Sequence, residues 1–222
     1  MVISTKYRFV FLHVPKAAGS SVAHALTQLD GCKHWAVSAC TKHETLSQFY
    51  RRQKSARRPW YVVRRPSFAD YSKLAFVRNP WDRIVSLYHY LESSGKRAEF
   101  ADIRSFDHFV AGIQDKTPWI VGLHSLRPQC DFLVDESGQF DVDFVGHYES
   151  LEADFAKVAR RIGFRAELPH KNRSDHEDYR CYYTPRTAAV IADHFARDAE
   201  LFGYALDPPW PSRRFGARAG AA

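Results

Sequence analysis

The chain has 222 residues, room for one ordinary α/β domain of about 200 residues and too little for two. Apolar residues make up 45%, enough for a packed core, which excludes wholesale disorder. The net charge of +7 (32 basic against 25 acidic residues) is concentrated in Arg51, Arg52, Lys54, Arg57, Arg58, Arg64 and Arg65, with more in Arg213, Arg214 and Arg218. That is a patch, not the long basic stripe of a nucleic-acid binder.

Arg8 to Val14 is a short run rich in β-branched and aromatic residues, which predicts a buried, parallel strand. Pro15 to Gly19 form a loop, and Ser20 or Ser21 is the expected cap of a helix carrying Val22, Ala25, Leu26 and Leu29. Residues 43–54 predict a second helix, and the basic stretch 51–65 leads away from it, broken by Pro59 and Pro66. Lys73 to Arg78 predict a second strand, with Asn79 as cap and Pro80 opening a helix that runs to Gly95. Phe106 to Ile113 predict a short helix, and residues 130–134 and 140–145 predict a hairpin around Glu136-Ser137-Gly138. Glu149 to Ile162 predict a helix stopped by Gly163, and a last helix opens at Thr184-Pro185 and ends near Gly203. This alternation implies an α/β fold: three layers around a mainly parallel sheet, with P-loop-like strand–loop–helix units. A single domain is expected over residues 1–211, with a disordered tail over 212–222.

The cysteines, Cys32, Cys40, Cys130 and Cys181, form no C-x-x-C pair, so reduced thiols are expected and no metal site. No run of 18 apolar residues occurs, and no signal peptide is read at the start; a cytoplasmic protein without stable membrane insertion is expected.

Two loops follow the two strong strands, at the strand ends where ligands bind in such sheets. In His13-Val14-Pro15-Lys16-Ala17-Ala18-Gly19-Ser20-Ser21, small side chains let backbone N–H groups approach an anion. A helix N-terminus, serine hydroxyls and one lysine add to the attraction. The order G-x-x-x-x-G-K-[ST] is absent, so this is no Walker A loop; an ordinary turn with a solvated lysine is the plain alternative. In Arg78-Asn79-Pro80-Trp81-Asp82-Arg83-Ile84-Val85-Ser86-Leu87-Tyr88, guanidinium and hydroxyl groups at helical spacing suit a phosphate monoester. The plain alternative there is an Arg78–Asp82 pair with Ser86 on the helix surface.

Together the loops resemble the sulfotransferases: P-K-x-x-G-[ST]-[ST] is similar to their 5′-phosphosulfate loop, and R-[ND]-P-x-x-R-x-x-S-x-Y to their 3′-phosphate motif. The stretches Asp143 to Leu151, Pro169 to His176, Tyr182-Tyr183-Thr184 and Leu201 to Tyr204 resemble the carbohydrate branch, including its short bacterial members. The resemblance spans roughly residues 8–205 and is weakest over 34–70 and 95–128, where an acceptor would be selected. It implies 3′-phosphoadenosine 5′-phosphosulfate (PAPS) as donor, without a metal, and a sugar or glycan-like hydroxyl as acceptor. It further implies that Lys16, Ala17, Ala18, Gly19, Ser20 and Ser21 hold the 5′-phosphosulfate and that Arg78 and Ser86 hold the 3′-phosphate. Asn172, Arg173 and Ser174 would close over that phosphate, and Lys16 would meet charge on the leaving group. For the base, the family position falls on His43, with Glu44 as the next candidate and His89 as a more distant one. Trp60, Tyr61 and the arginines of 51–65 could attract an anionic glycan or be a solvated loop. The competing functions are a P-loop-type nucleotide kinase, a nucleic-acid-binding module and a catalytically inactive nucleotide-binding protein.

Overall fold

A computed structural model describes residues 1–34, 42–55, 68–95, 97–165, 168 and 177–205. The proposed disordered tail over 212–222, residues 56–65 of the basic stretch, Cys40 and Asn172-Arg173-Ser174 lie outside the described residues. Cys32, Cys130 and Cys181 are free thiols.

Strands β1 (Val2–Ser4), β2 (Phe9–Leu12), β3 (Cys32–His34), β4 (Ser72–Val77) and β5 (Phe144–His147) form a sheet in the order β3-β1-β2-β4-β5. β2, β4 and β5 pair in parallel, while β1 runs antiparallel to both β2 and β3. Every strand but β1 therefore points the same way. All four β2 side chains are buried, as expected for a strand covered on both faces. Phe9, Phe11, Leu74 and Phe76 pack against helices α1 (Gly19–Thr27) and α6 (Leu151–Ile162). Val10, Leu12, Ala75 and Val77 face the other way, onto α2 (Leu46–Ser55) and Phe132-Leu133. These are the three layers. A separate apolar cluster joins α3 (Pro80–Ser94), α4 (Phe106–Gln114), α5 (Pro118–Val121) and α7 (Pro185–His194) around Phe109, Ile120 and Ile191.

The β4–α3 junction follows the sequence closely. Asn79 caps α3 by accepting from the Trp81 N–H at 3.0 Å, Pro80 takes the first helical position, and Gly95 closes the helix at φ 57°.

Four expectations are corrected. Neither Ser20 nor Ser21 caps α1; the cap is Ala18, and both serines lie inside the first turn. The second helix begins at Leu46, because Thr45 and Gln48 cap each other reciprocally, the Gln48 N–H donating to Thr45 Oγ1 at 3.2 Å and the Thr45 N–H to Gln48 Oε1 at 3.0 Å. The hairpin shrinks to one bridge, Val134 with Phe140, while residues 130–132 form a 3-10 turn and β5 pairs with β4 instead. The last helix breaks at Phe195 into α7 and α8 (Ala196–Phe202), which lets buried Asp198 accept the N–H groups of Gln129 and Cys130.

Gly146 sits on β5 where an added Cβ would lie 2.4 Å from the buried Phe76 ring. Gly146→Ala is expected to cost about 1–3 kcal/mol through overpacking. Urea unfolding checks this, and an unchanged midpoint would mean that the β4–β5 face repacks freely.

Candidate active site

The first loop leaves β2 at Leu12 and turns through two non-glycine residues with left-handed backbone, Lys16 at φ 64° and Ala18 at φ 56°. Such residues cost roughly 1–2 kcal/mol each, so the surrounding structure must hold them. Turns of this kind aim successive N–H groups into an anion-binding concavity. No side chain caps α1 at Ala18; the Ser21 N–H donates to the Ala18 carbonyl at 3.0 Å, and the start of the helix carries the partial positive charge that attracts an anion. Gly19 is required by close approach: a Cβ there would sit 2.0 Å from His13 Cδ2.

Cations surround this loop. Lys16 Nζ lies 4.4 Å from the Tyr90 ring centroid. Burial pushes the Lys16 ammonium pKa down to about 8, and the charges of Arg78 and Lys42 push the same way. Lys42 donates to Ser20 Oγ at 3.4 Å. Arg78 is buried; its guanidinium holds both carboxylate oxygens of Asp82 at 2.7 and 2.9 Å and lies 4.0 Å from the Tyr148 ring centroid. Its Nη1 points to the Lys16 carbonyl at 3.5 Å, so the second motif touches the first loop. The Arg78–Asp82 pair that the spacing allowed is thus present, and Ser86 is buried on α3, not on the helix surface.

Arg83 does not join Ser86 at an anion. It is fully buried and donates from Nε to the Pro15 carbonyl and from Nη2 to the Arg127 carbonyl, both at 3.0 Å. Burial lowers its pKa to about 10, against the raising influence of Asp198.

His43 sits beside the same loop. Its Nδ1 lies 2.9 Å from the His13 carbonyl, and its ring centroid is 4.5 Å from that of His13 and 6.1 Å from that of His124. A carbonyl can only accept, so Nδ1 carries the proton and Nε2 holds the lone pair. Burial drives the His43 pKa down to about 4, with Lys42 and His124 adding to the shift. The imidazole is therefore neutral at pH 7. Glu44 is one residue on but turned elsewhere: Arg52 grips both of its oxygens at 2.8 and 2.6 Å. His89 hydrogen-bonds Tyr182 Oη at 2.8 Å and Glu92 at 3.2 Å. Of the described part of the basic stretch, Arg52 is thus committed to Glu44, while Lys54 and Arg51 pair with Glu136.

Sequence reasoning passed over three residues. Lys42 had a signal, its adjacency to His43. His124 and Gln129 had none, because neither lies in a loop that follows a strong strand; Gln129 is taken up below. Among the described residues, no group of three or more His, Cys, Asp or Glu side chains could hold a metal ion. No helix among them is long and apolar enough to cross a membrane.

Residues 1–205 match the model of a sulfotransferase family. The chain belongs to that family. An uncharacterized protein of Archaeoglobus fulgidus is 35% identical over 114 residues, 51% of this chain and 86% of its own length. The crystal structure of a sulfotransferase from Alicyclobacillus acidocaldarius aligns over 90% of this chain and 96% of its own, at 17% identity and a TM-score of 0.45. Family membership makes the chain a sulfotransferase-type enzyme, which implies an acceptor substrate.

Glu44→Gln removes the charge that Arg52 grips in a site where Glu44 is buried. The expected loss is about 1–3 kcal/mol of stability. Thermal unfolding checks it; an unaltered midpoint would show that the pair contributes nothing to the fold.

Proposed function

We propose that the protein moves a sulfuryl group from PAPS to a carbohydrate hydroxyl, with a single catalytic domain over residues 1–211. The observation that supports this best is an uncapped helix N-terminus ringed by Lys16, Lys42 and Arg78, with a neutral imidazole beside it. Burial first, and then the charges of Arg78 and Lys42, depress the Lys16 pKa, and a bound phosphosulfate would offset those charges.

In the proposed reaction the backbone N–H groups from Lys16 to Ser21 and the two serine hydroxyls hold the phosphosulfate. Arg78 and Ser86, with Asn172, Arg173 and Ser174 by family resemblance, take the 3′-phosphate. The acceptor oxygen attacks sulfur in line while its proton passes to Nε2 of His43. The bond from sulfur to the 5′-phosphate oxygen breaks, and its electron pair stays on the departing bisphosphate beside the Lys16 ammonium. Positioning and charge neutralisation supply most of the acceleration in such transfers. Glu44, already gripped by Arg52, is the poorer base. A nucleotide kinase is disfavoured by the missing Walker order.

Lys16 reports on donor binding through protons. A bound anion favours its charged form and raises its pKa from about 8. Binding of 3′,5′-adenosine bisphosphate at pH 8 should therefore take up about half a proton per site. Calorimetry in buffers of different ionisation enthalpy measures this. Lys16→Ala should abolish the uptake, and uptake that persists in that variant would assign it to another group.

Transfer itself is tested with labelled PAPS and a panel of hydroxylated sugars. Label should appear on a sugar, and His43→Ala should cut turnover by roughly 10²–10⁴-fold at nearly unchanged bisphosphate affinity. Glu44→Gln should keep most of the turnover of the folded protein. Loss of turnover in Glu44→Gln alone would move the base to the carboxylate, and phosphate transfer from ATP would replace the sulfotransferase reading by a kinase.

A further inference from the structure

Arg78 stands one residue beyond β4, where the sheet ladder has ended, yet its backbone is clamped on both sides by a single side chain. The Arg78 N–H donates to Gln129 Oε1 at 2.9 Å, and Gln129 Nε2 donates to the Arg78 carbonyl at 2.8 Å. The carboxamide so replaces the neighbouring strand that this residue lacks. Its orientation is fixed by chemistry, because the Arg78 N–H needs an acceptor and the Arg78 carbonyl a donor. Gln129 is itself held: its N–H donates to Asp198 Oδ2 at 2.7 Å, and the Cys130 N–H donates to Asp198 Oδ1 at 2.9 Å. Gln129 and Asp198 are fully buried and Arg78 is 4% exposed, so water offers these groups no substitute partner.

We propose that Gln129 is a positioning residue for the nucleotide 3′-phosphate, acting by fixing the backbone from which Arg78 projects, with Asp198 fixing Gln129 in turn. The proposal rests on the reading that Arg78 receives that phosphate. Asp82 and Tyr148 set the direction of the Arg78 guanidinium at its far end. Gln129 sets its origin. A guanidinium held at both ends presents its donors to a phosphate at little further ordering cost, whereas a small rotation at the Arg78 Cα would swing the fork off its target.

The test compares 3′,5′-adenosine bisphosphate with adenosine 5′-monophosphate, which lacks the 3′-phosphate, by calorimetry on the whole chain. Gln129→Met keeps the side-chain length and removes both polar ends. It should weaken the bisphosphate by roughly 10-fold or more and leave the monophosphate within about twofold. Asp198→Asn keeps the side-chain size but turns one of the two accepting oxygens into a donor, and it should shift the same preference in the same direction. Arg78→Ala is the control for the underlying reading. If Arg78→Ala loses the 3′-phosphate preference and the Gln129 and Asp198 variants do not, Gln129 is no positioning residue while the Arg78 reading stands. A parallel fall in both nucleotides, or failure of both variants to fold, makes the network merely structural and overturns the proposal. If Arg78→Ala keeps the preference, the 3′-phosphate reading falls and this proposal with it.

Discussion

The buried guanidinium of Arg83 is the brace on which the two loops depend. It has no access to water, yet it reaches the Pro15 carbonyl in the first loop and the Arg127 carbonyl before the Gln129 turn. Its Nη1 has no hydrogen-bond partner among the described residues, and the Phe195 ring centroid lies 5.6 Å from its central carbon. A desolvated cation tied only to neutral carbonyls is costly, and losing one of its acceptors would leave a buried charge still less compensated. The first loop therefore cannot relax without Arg83 moving, and Arg83 cannot move without disturbing α3. This stiffness explains how Lys16 and Ala18 are kept in left-handed conformations that an isolated chain would leave. From the same turn, Gln129 reaches back to Arg78, so the strand end, both loops and α8 form one connected frame.

The parts of the fold that were legible in the sequence are those where burial and local chemistry agree. β2 and β4 read as continuous apolar runs because both of their faces are covered, and α3 announces its own ends through Asn79, Pro80 and Gly95. β1 and β3 were missed because three residues show no period; their pairing depends on a tertiary neighbour. The hairpin failed for the same reason in reverse. Its turn chemistry is real, with Asp135 Oδ1 accepting from the N–H groups of Ser137 and Gln139, but β4 offers Phe144–His147 a longer ladder than Val134 does. The last helix read as continuous because no glycine or proline marks Phe195, and only the buried Asp198 contacts explain the break.

The candidate site was legible as two motifs but not as roles. Arg83 and Arg78 look alike in sequence, five residues apart, and both are buried; only their partners, backbone carbonyls for Arg83 and the Asp82 carboxylate for Arg78, separate a brace from a residue poised by the first loop. His43 and Glu44 were weighed as neighbours on a helix start, whereas both precede α2, so helical geometry does not govern which way they face. Arg52 decides the matter for Glu44 by holding its carboxylate, and the His13 carbonyl decides the tautomer of His43. Neither partner could be found by spacing, because the contacts arise from chain folding over 8 and 30 residues.

The depressed pKa values of Lys16 and His43 share their causes, burial first and the charge of Lys42 among the rest. In the proposed reaction that common origin couples donor binding to base strength. A base of pKa about 4 draws a hydroxyl proton weakly, and catalysis near neutral pH favours a base closer to 7. A bound phosphosulfate brings negative charge to the loop that His43 contacts and raises the pKa of both groups together. Lys16 is then held firmly in its charged form for the leaving group as His43 becomes a stronger acceptor of the hydroxyl proton. Without the donor, the imidazole is a poor base, so the site has little means of activating an acceptor before there is a sulfuryl group to give it.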